Sequence, residues 1–440
     1  MLNLFNLALK LNGYPIGKAR QVLKNIQNKN ESDFKAYVEA KKQDIVAFHL
    51  TRNAFYKSFA KNANPLAWDT VPVMTKSDLQ HPPDTLWSDG FSKQKVYIDK
   101  TSGASGHPFT FSKDKFCHAM TWAVIQDRFG WYDIDFNASR QARLYGIPLD
   151  AQGYFKEKFK DMMSHRTRFN VFDLRDAAFE DWLRVFRNKQ PDYINGYTSP
   201  MVLFAKYLQQ KNIVLKTECP SLKVCIPTSE MLFKEDRTLM EKQFGVPVIN
   251  EYGASELDLI AFENPEGQWQ VTSETLYVEI LDEHDQVVPY GEAGRLVITA
   301  LYNKAQPFIR YDIGDEGILS RQSTLKIPIL EKLTGRTNDI AVLPSGKKAA
   351  GLTFYYITKR IIDKDCTVKE FVVEQLTPDT FKIIYVSSEA LSKNDRTRIT
   401  AEMETYLEKG LRINFERQDQ LVRLKSGKLK QFRSYLNTNP

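Results

Sequence analysis

Between residues 191 and 256 short apolar runs alternate with amphipathic ones, and this alternation narrows the fold more than any other feature. "PDYINGY" and "LKVCIPTSE" read as buried strands ending in polar loops, and "VPVINEYGASE" as a third. "MVLFAKYLQQKN" and "EDRTLMEKQFG" lie between them and read as helices. Strands alternating with helices imply an α/β core with a largely parallel sheet. Ligands of such sheets bind at the loops beyond the strand C-termini. "KVYIDK" (95–100) alternates like a further strand and runs into "TSGASG". The polar loops after Ile98, Ile226 and Ile249 are therefore expected to share one edge.

The flanks read differently. Residues 31–61 carry Phe34, Tyr37, Val38, Ile45, Phe48, Leu50 and Phe55 near helical spacing, as one long helix or two. "FCHAMTWAVIQDRFGW" reads as helix. From Gln270 the texture turns β-rich, in "TLYVEIL", "AGRLVITAL" and "PFIRYDIGDEGIL". After "LTGRTNDI" it changes again: "KEFVVEQ" and "TFKIIYVS" alternate as strands, and "NDRTRITAEMETYLEKG" is a helix opened by an Asn-Asp cap. A chain of 440 residues exceeds one ordinary domain. The expected division is 1–337, an α/β domain with mixed, mostly parallel sheets and a β-rich subdomain, and 338–440, a small α+β domain.

Composition excludes several classes. A hydrophobic share of 42% is too high for a disordered chain. The net charge of +7 comes from 61 basic residues mixed among 54 acidic ones, which suits an anionic substrate and gives only weak support to nucleic-acid binding, so no nucleic-acid partner is expected. Cys117, Cys219, Cys225 and Cys366 lack CxxC spacing and clustered histidines, so no zinc site is expected and a reducing cytoplasm is. "MLNLFNLALKLNGYPIG" lacks a basic leader and is too short to span a bilayer; it reads as an amphipathic helix packed on the body.

Five segments carry chemistry. In Thr101–Gly106, Gly103 and Gly106 let the backbone approach a ligand, while Thr101, Ser102 and Ser105 add hydroxyl donors around Ala104. Lys113 or Lys115 stands near enough to add charge. Taken alone this loop is either a phosphate cradle or an ordinary turn. "NEYGASE" offers Tyr252 to stack on a base and Glu256 to hold Mg²⁺ against triphosphate oxygens. "RYDIGDEG" offers Asp312 and Asp315 as acceptors for ribose hydroxyls. "TGRTND" supplies Arg336. "RLKSGKLKQFR" concentrates cations around Lys428, either a solvated face or a loop presenting an ammonium.

In this order the segments resemble the core motifs of the adenylate-forming superfamily. "AWDTVPVMTKSDLQ" and "QPDYINGYTSPMVLFAKYL" are similar to its phenylacetate–CoA ligase and CapK-like branch. The likeness runs from about residue 45 to 433. It implies that a carboxylate attacks the α-phosphate of ATP, pyrophosphate leaves, and the acyl group passes to a thiol, usually of CoA. It implies ATP/AMP contacts from Thr101–Gly106, Ser229, Glu230, Met231, Glu251, Tyr252, Gly253, Ser255, Asp315 and Arg336. Lys428, Glu256 and Arg336 would be catalytic, Glu256 the Mg²⁺ ligand, and Asn338 the hinge where the family carries Asp. The small C-terminal domain would then be mobile. Ser229 and Met231 replace the Gly and Pro of the family's nucleotide turn. Tyr197 is equally pocket wall or core. The resemblance also admits a homodimer.

Two other readings compete with the acid–thiol ligase. One keeps adenylation but passes the group to a carrier-protein thiol, an amine, a sugar or a cofactor hydroxyl. The other is an inactive nucleotide-binding partner in polysaccharide assembly, against which Glu256, Asp315, Arg336 and Lys428 all argue.

Overall fold

The computed structural model describes residues 4–101, 109–145, 161, 165–171, 173–336, 340–346, 348–350, 368–423, 429–430 and 432–436. The chain divides into two compact units, Met1–Ile313 with Ile318–Glu331, and Gly314–Gly317 with Lys332–Pro440.

The first unit opens on α1 (Leu4–Leu11), α2 (Ile16–Gln27), α3 (Glu31–Arg52) and α4 (Ala54–Phe59). Asn53 separates the last two: its side chain accepts from Tyr56 N–H, which starts a new helix where the old one ends. Next come β1 (Val96–Lys100), β2 (Thr110–Asp114) and α5 (Lys115–Gly130). Asp114 begins α5 by accepting the N–H groups of Phe116 and Cys117, both at 2.9 Å. β1 and β2 pair with each other as a separate antiparallel sheet. The loop after Ile98 is therefore not a parallel-sheet loop, contrary to the expectation above. Alternation reveals a strand but not its partner.

The central sheet has seven strands. They are β3 (Gln141–Leu144), β4 (Arg166–Arg168), β5 (Tyr193–Tyr197), β6 (Val224–Thr228), β7 (Glu251–Ala254), β8 (Asp258–Glu263) and β9 (Trp269–Val271), in spatial order 4-3-5-6-7-8-9. The β4-β3-β5-β6-β7 part is parallel and the last two strands are antiparallel. Helices α6 (Asp176–Lys189), α7 (Thr198–Gln210) and α8 (Lys234–Phe244) separate the parallel strands in the chain. Their apolar stripes pack with Ala142, Leu144, Ile194 and Cys225 on one face. Tyr193, Val224 and Ile226 point to the other face, against α1, α2 and α5. Burial on both faces explains why these strands read as apolar runs. The chain runs from β3 outward to β4 and then returns to β5 on the opposite side. That reversal puts a topological switch point between β3 and β5, where α/β sheets bind ligands.

β10 (Leu276–Leu281), β11 (Ala293–Ala300), β12 (Tyr311–Leu319) and β13 (Leu330–Arg336) form a four-stranded sheet in that order. The second unit contains the hairpin β14 (Ile340–Val342) and β15 (Lys348–Ala350). It also contains β16 (Val368–Thr377), β17 (Thr380–Ser387), β18 (Arg412–Gln418) and β19 (Phe432–Ser434), ordered 18-17-16-19. Helix α9 (Lys393–Tyr406) buries Ile399 and Met403. Its cap is Ser392 in a capping box with Asp395, not the expected Asn-Asp pair. Among the described residues no helix is long and apolar enough to cross a membrane.

Candidate active site

Thr101 is the last described residue before the glycine-rich loop. Its hydroxyl accepts from Phe109 N–H at 3.1 Å, and its own N–H donates to Phe109 C=O at 3.0 Å. The loop is thus closed at its base by the β1–β2 hairpin. Ser102, Gly103, Ala104, Ser105 and Gly106 lie outside the described residues.

Lys113 has a different task from the one expected of it. Its ammonium is buried, pairs with the Asp258 carboxylate, and reaches the Ser255 carbonyl at 3.3 Å. Thr121 donates to the same Asp258 oxygen at 2.8 Å. The cation therefore ties the glycine-loop hairpin to the β7–β8 turn, which carries Ser255 and Glu256. A buried ammonium without such a partner would be strongly destabilising, so the two motifs hold each other in place.

Glu256 is buried, and its Oε1 accepts from the Tyr311 hydroxyl at 3.0 Å. Oε2 carries no hydrogen bond among the described residues. Tyr252 is half-buried with its ring edge on Trp269, centroids 5.9 Å apart. Gly253 lies where β7 presses on the turn: a Cβ there would stand 2.5 Å from the Asp258 carbonyl oxygen. Backbone must then move, so Gly253→Ala is expected to lose on the order of 2–3 kcal/mol in urea unfolding. A loss under about 0.5 kcal/mol would show that the turn yields freely.

The turn after β6 is a tight one, with Ser229 exposed at φ +69°. Met231 is half-buried. The Glu230 carboxylate accepts from Ser199 N–H at 2.6 Å and from its hydroxyl at 3.2 Å, capping α7. Glu251 follows at the start of β7, paired in register with Thr228. Burial pushes its carboxyl up to about 7, against the Thr228 hydroxyl and the Arg143 charge, which favour the ionised form. Between the ordinary value of 4.5 and about 7, the folded protein holds a proton the unfolded chain has lost. Glu251 therefore favours folding at the acid end of that window, and the benefit fades as pH rises through it. Relative to Glu251→Gln, the wild type is expected to lose on the order of 2 kcal/mol of unfolding free energy from pH 5 to 7.5. Parallel pH curves for the two proteins would refute the assignment.

Tyr197 ends β5 and is buried, edge-on to Tyr145 at 5.0 Å. Asp315 is buried in β12, while the neighbouring carboxylate of Asp312 is bound by Arg295 at 2.7 Å. Arg336 is the last residue of β13. Asn338 and Lys428 lie outside the described residues. Among those that are described, no group of three His, Cys, Asp or Glu side chains could hold a metal.

Sequence reasoning missed a polar cluster at the C-terminal edge of β3 and β5. Tyr145 donates to Asn195 Oδ1 at 3.1 Å, and Asn195 donates to the Ile226 carbonyl at 3.0 Å. The Arg143 guanidinium lies 4.3 Å from the Tyr145 ring centre. The only signal was "QARLY", an Arg and a Tyr in alternate positions of a strand too short to stand out.

No family model matches the chain. It is 24% identical over 388 residues to protein CapK of Staphylococcus aureus, covering 84% of this chain and 80% of that one. It is 27% identical over 181 residues to a phenylacetate-coenzyme A ligase of Aromatoleum evansii, covering 39% and 40%. A 2-hydroxyisobutyryl-CoA ligase crystallised in its postadenylation state superposes with TM-score 0.69 at 16% identity, over 91% of this chain and 89% of that one. The superposition establishes the fold. The ordered motifs and the curated relatives support the adenylate-forming superfamily, in the branch of the phenylacetate–CoA ligases and CapK.

Proposed function

We propose that this protein activates a carboxylic acid with ATP and passes the acyl group to a thiol, that of CoA. A carboxylate oxygen attacks the α-phosphate, the bond to pyrophosphate breaks, and an acyl-adenylate forms. The thiol sulfur then attacks the acyl carbon and AMP leaves. The observation that carries this reading is the Lys113–Asp258 pair, which joins the glycine-loop hairpin to the Glu256 turn across 145 residues of sequence. Two motifs that each suit a triphosphate are thereby fixed together.

Each residue then has a task. Thr101–Gly106 grip the β- and γ-phosphates, Tyr252 flanks the adenine, and Ser255 touches phosphate. Asp315 takes the ribose hydroxyls, with Arg336 beside it. Among the described residues Glu256 has one carboxylate oxygen without a hydrogen bond and belongs to no cluster of three metal-ligating side chains, which suits a cation that takes its other ligands from phosphate and water. Mg²⁺ held there would neutralise phosphate charge. Residues 338–440 serve as a lid that presents Lys428 in the first half-reaction and withdraws it in the second, turning at Asn338. ATP and CoA as co-substrates place the reaction in the cytoplasm.

The test is acid-dependent ATP–pyrophosphate exchange over aryl, fatty, hydroxy and dicarboxylic acids, followed by product mass spectrometry with and without CoA. Exchange with one acid class and an acyl-CoA product are expected. Exchange without an acyl-CoA product would move the acceptor to a carrier thiol, an amine or a hydroxyl. ATP binding without exchange for any acid would end the ligase reading.

A further inference from the structure

The switch point between β3 and β5 is where an α/β sheet receives its ligand, and here it carries charge. In register, Arg143 stands beside Asn195 of β5 on one side and Arg168 of β4 on the other, while Arg166 stands beside Gln141. Alternation sends Ala142 and Leu144 into the core under α6 and α7, so Gln141 and Arg143 take the opposite face.

The three arginines differ in what they hold. Arg168 is satisfied: its guanidinium meets Asp161 at 2.8 and 3.0 Å. Neither Arg143 nor Arg166 pairs with a carboxylate among the described residues. Arg143 Nε is buried and has no hydrogen-bond partner among the described residues. Both side chains are half-buried, and Arg166 is depressed by burial and by the Arg143 charge. Half-buried cations side by side repel each other and lose part of their hydration, and such an arrangement is favourable only where something compensates it. Glu251 senses the Arg143 charge yet forms no ion pair with it. The Arg143 guanidinium is also held in place. It stacks on Tyr145, which is fixed by Asn195, which is fixed in turn by the Ile226 carbonyl. A preorganised, underpaired guanidinium at a ligand crevice is a receiver for an anion.

We propose that the acid activated by this protein carries a second anionic group, as a dicarboxylic acid does, and that Arg143 binds that group at the mouth of β3 and β5. Tyr145 and Tyr197 flank it, and Arg166 adds positive charge behind. The inference rests on the adenylation reading for the identity of the ligand. Arg143 is a specificity residue here, and the reacting carboxylate is the other one.

The test pairs acids that differ only in the second group: butyrate with succinate, valerate with glutarate, phenylacetate with 4-carboxyphenylacetate. Adding 3-phosphonopropionate distinguishes a carboxylate from a phosphonate as the second anion. Wild type, Arg143→Gln and Arg143→Lys are compared in pyrophosphate exchange, with melting temperatures to confirm folding. The wild type should favour the second anion by at least about tenfold in kcat/KM. Arg143→Gln should remove that preference while monoacid exchange persists, and Arg143→Lys should restore part of it. A wild type that prefers the monoacids overturns the proposal. So does an Arg143→Gln variant that weakens both members of a pair equally, or that raises KM for ATP instead. If no acid supports exchange, the adenylation reading fails, and saturation-transfer NMR with succinate and glutarate decides the pocket alone. Binding by wild type and its loss in Arg143→Gln keeps the anion site, and no binding by wild type removes it.

Discussion

Lys428→Ala is expected to lower ATP–pyrophosphate exchange at least about 100-fold while leaving thioester formation from a supplied acyl-adenylate within about threefold. The reason is where charge gathers. In the first half-reaction a carboxylate approaches a phosphate that already bears negative charge. A point cation delivered there stabilises the transition state more than the ground state. Removing one such group costs about 10²–10³ in rate. The second half-reaction attacks a carbonyl carbon and has no comparable need of this ammonium. Lys430→Ala, two residues along the same basic run, should stay within about threefold in both assays. Exchange that survives in Lys428→Ala would remove this residue from the reacting centre and return the basic run to a solvated face.

Glu256→Gln carries the second largest effect, on the order of 100-fold in exchange, with partial recovery at raised Mg²⁺. The amide keeps the size of the carboxylate and can still accept from the Tyr311 hydroxyl 3.0 Å away, so the fold should be retained. What is lost is the negative charge proposed to hold Mg²⁺. Tyr311→Phe removes the hydroxyl that donates to Glu256 but leaves the carboxylate, and should cost roughly three- to tenfold. If Glu256→Gln leaves the Mg²⁺ dependence of exchange unchanged, the carboxylate is a structural acceptor for Tyr311 and the metal role belongs elsewhere. Equal losses in Glu256→Gln and Tyr311→Phe would point to the same conclusion.

The parallel core was legible because its signal is local. Tyr193 and Ile194, or Val224 and Cys225, face opposite layers that are both apolar, so the strands stand out from the amphipathic helices between them. The glycine-rich loop and the Glu256 turn stand out in the sequence as candidates because glycine, hydroxyl and carboxylate sit within a few residues of each other. The β1–β2 hairpin was not legible as such. Val96–Lys100 has the texture of any strand, and whether it joins a parallel sheet or folds back on Thr110–Asp114 is decided by which neighbour it meets. The cap of α9 was misplaced because Ser392 and the Asn394–Asp395 pair are all good caps; the backbone turn selects the serine.

Partnership over long separations was beyond the chain text. Lys113 reads as a loose cation beside a phosphate loop, and only folding gives it Asp258 and the Ser255 carbonyl. Arg143 reads as an ordinary residue, and only the order of the strands sets it at the switch point, its Nε without a partner among the described residues. Sequence alone determined the α/β architecture, since periodicity settles it, and it supplied the ordered motifs that carry the proposed nucleotide chemistry. The tertiary structure decided which charges are neutralised by the protein and which have no carboxylate partner among the described residues. Coulomb interactions depend on distance in space and on burial, and neither is a property of position along the chain.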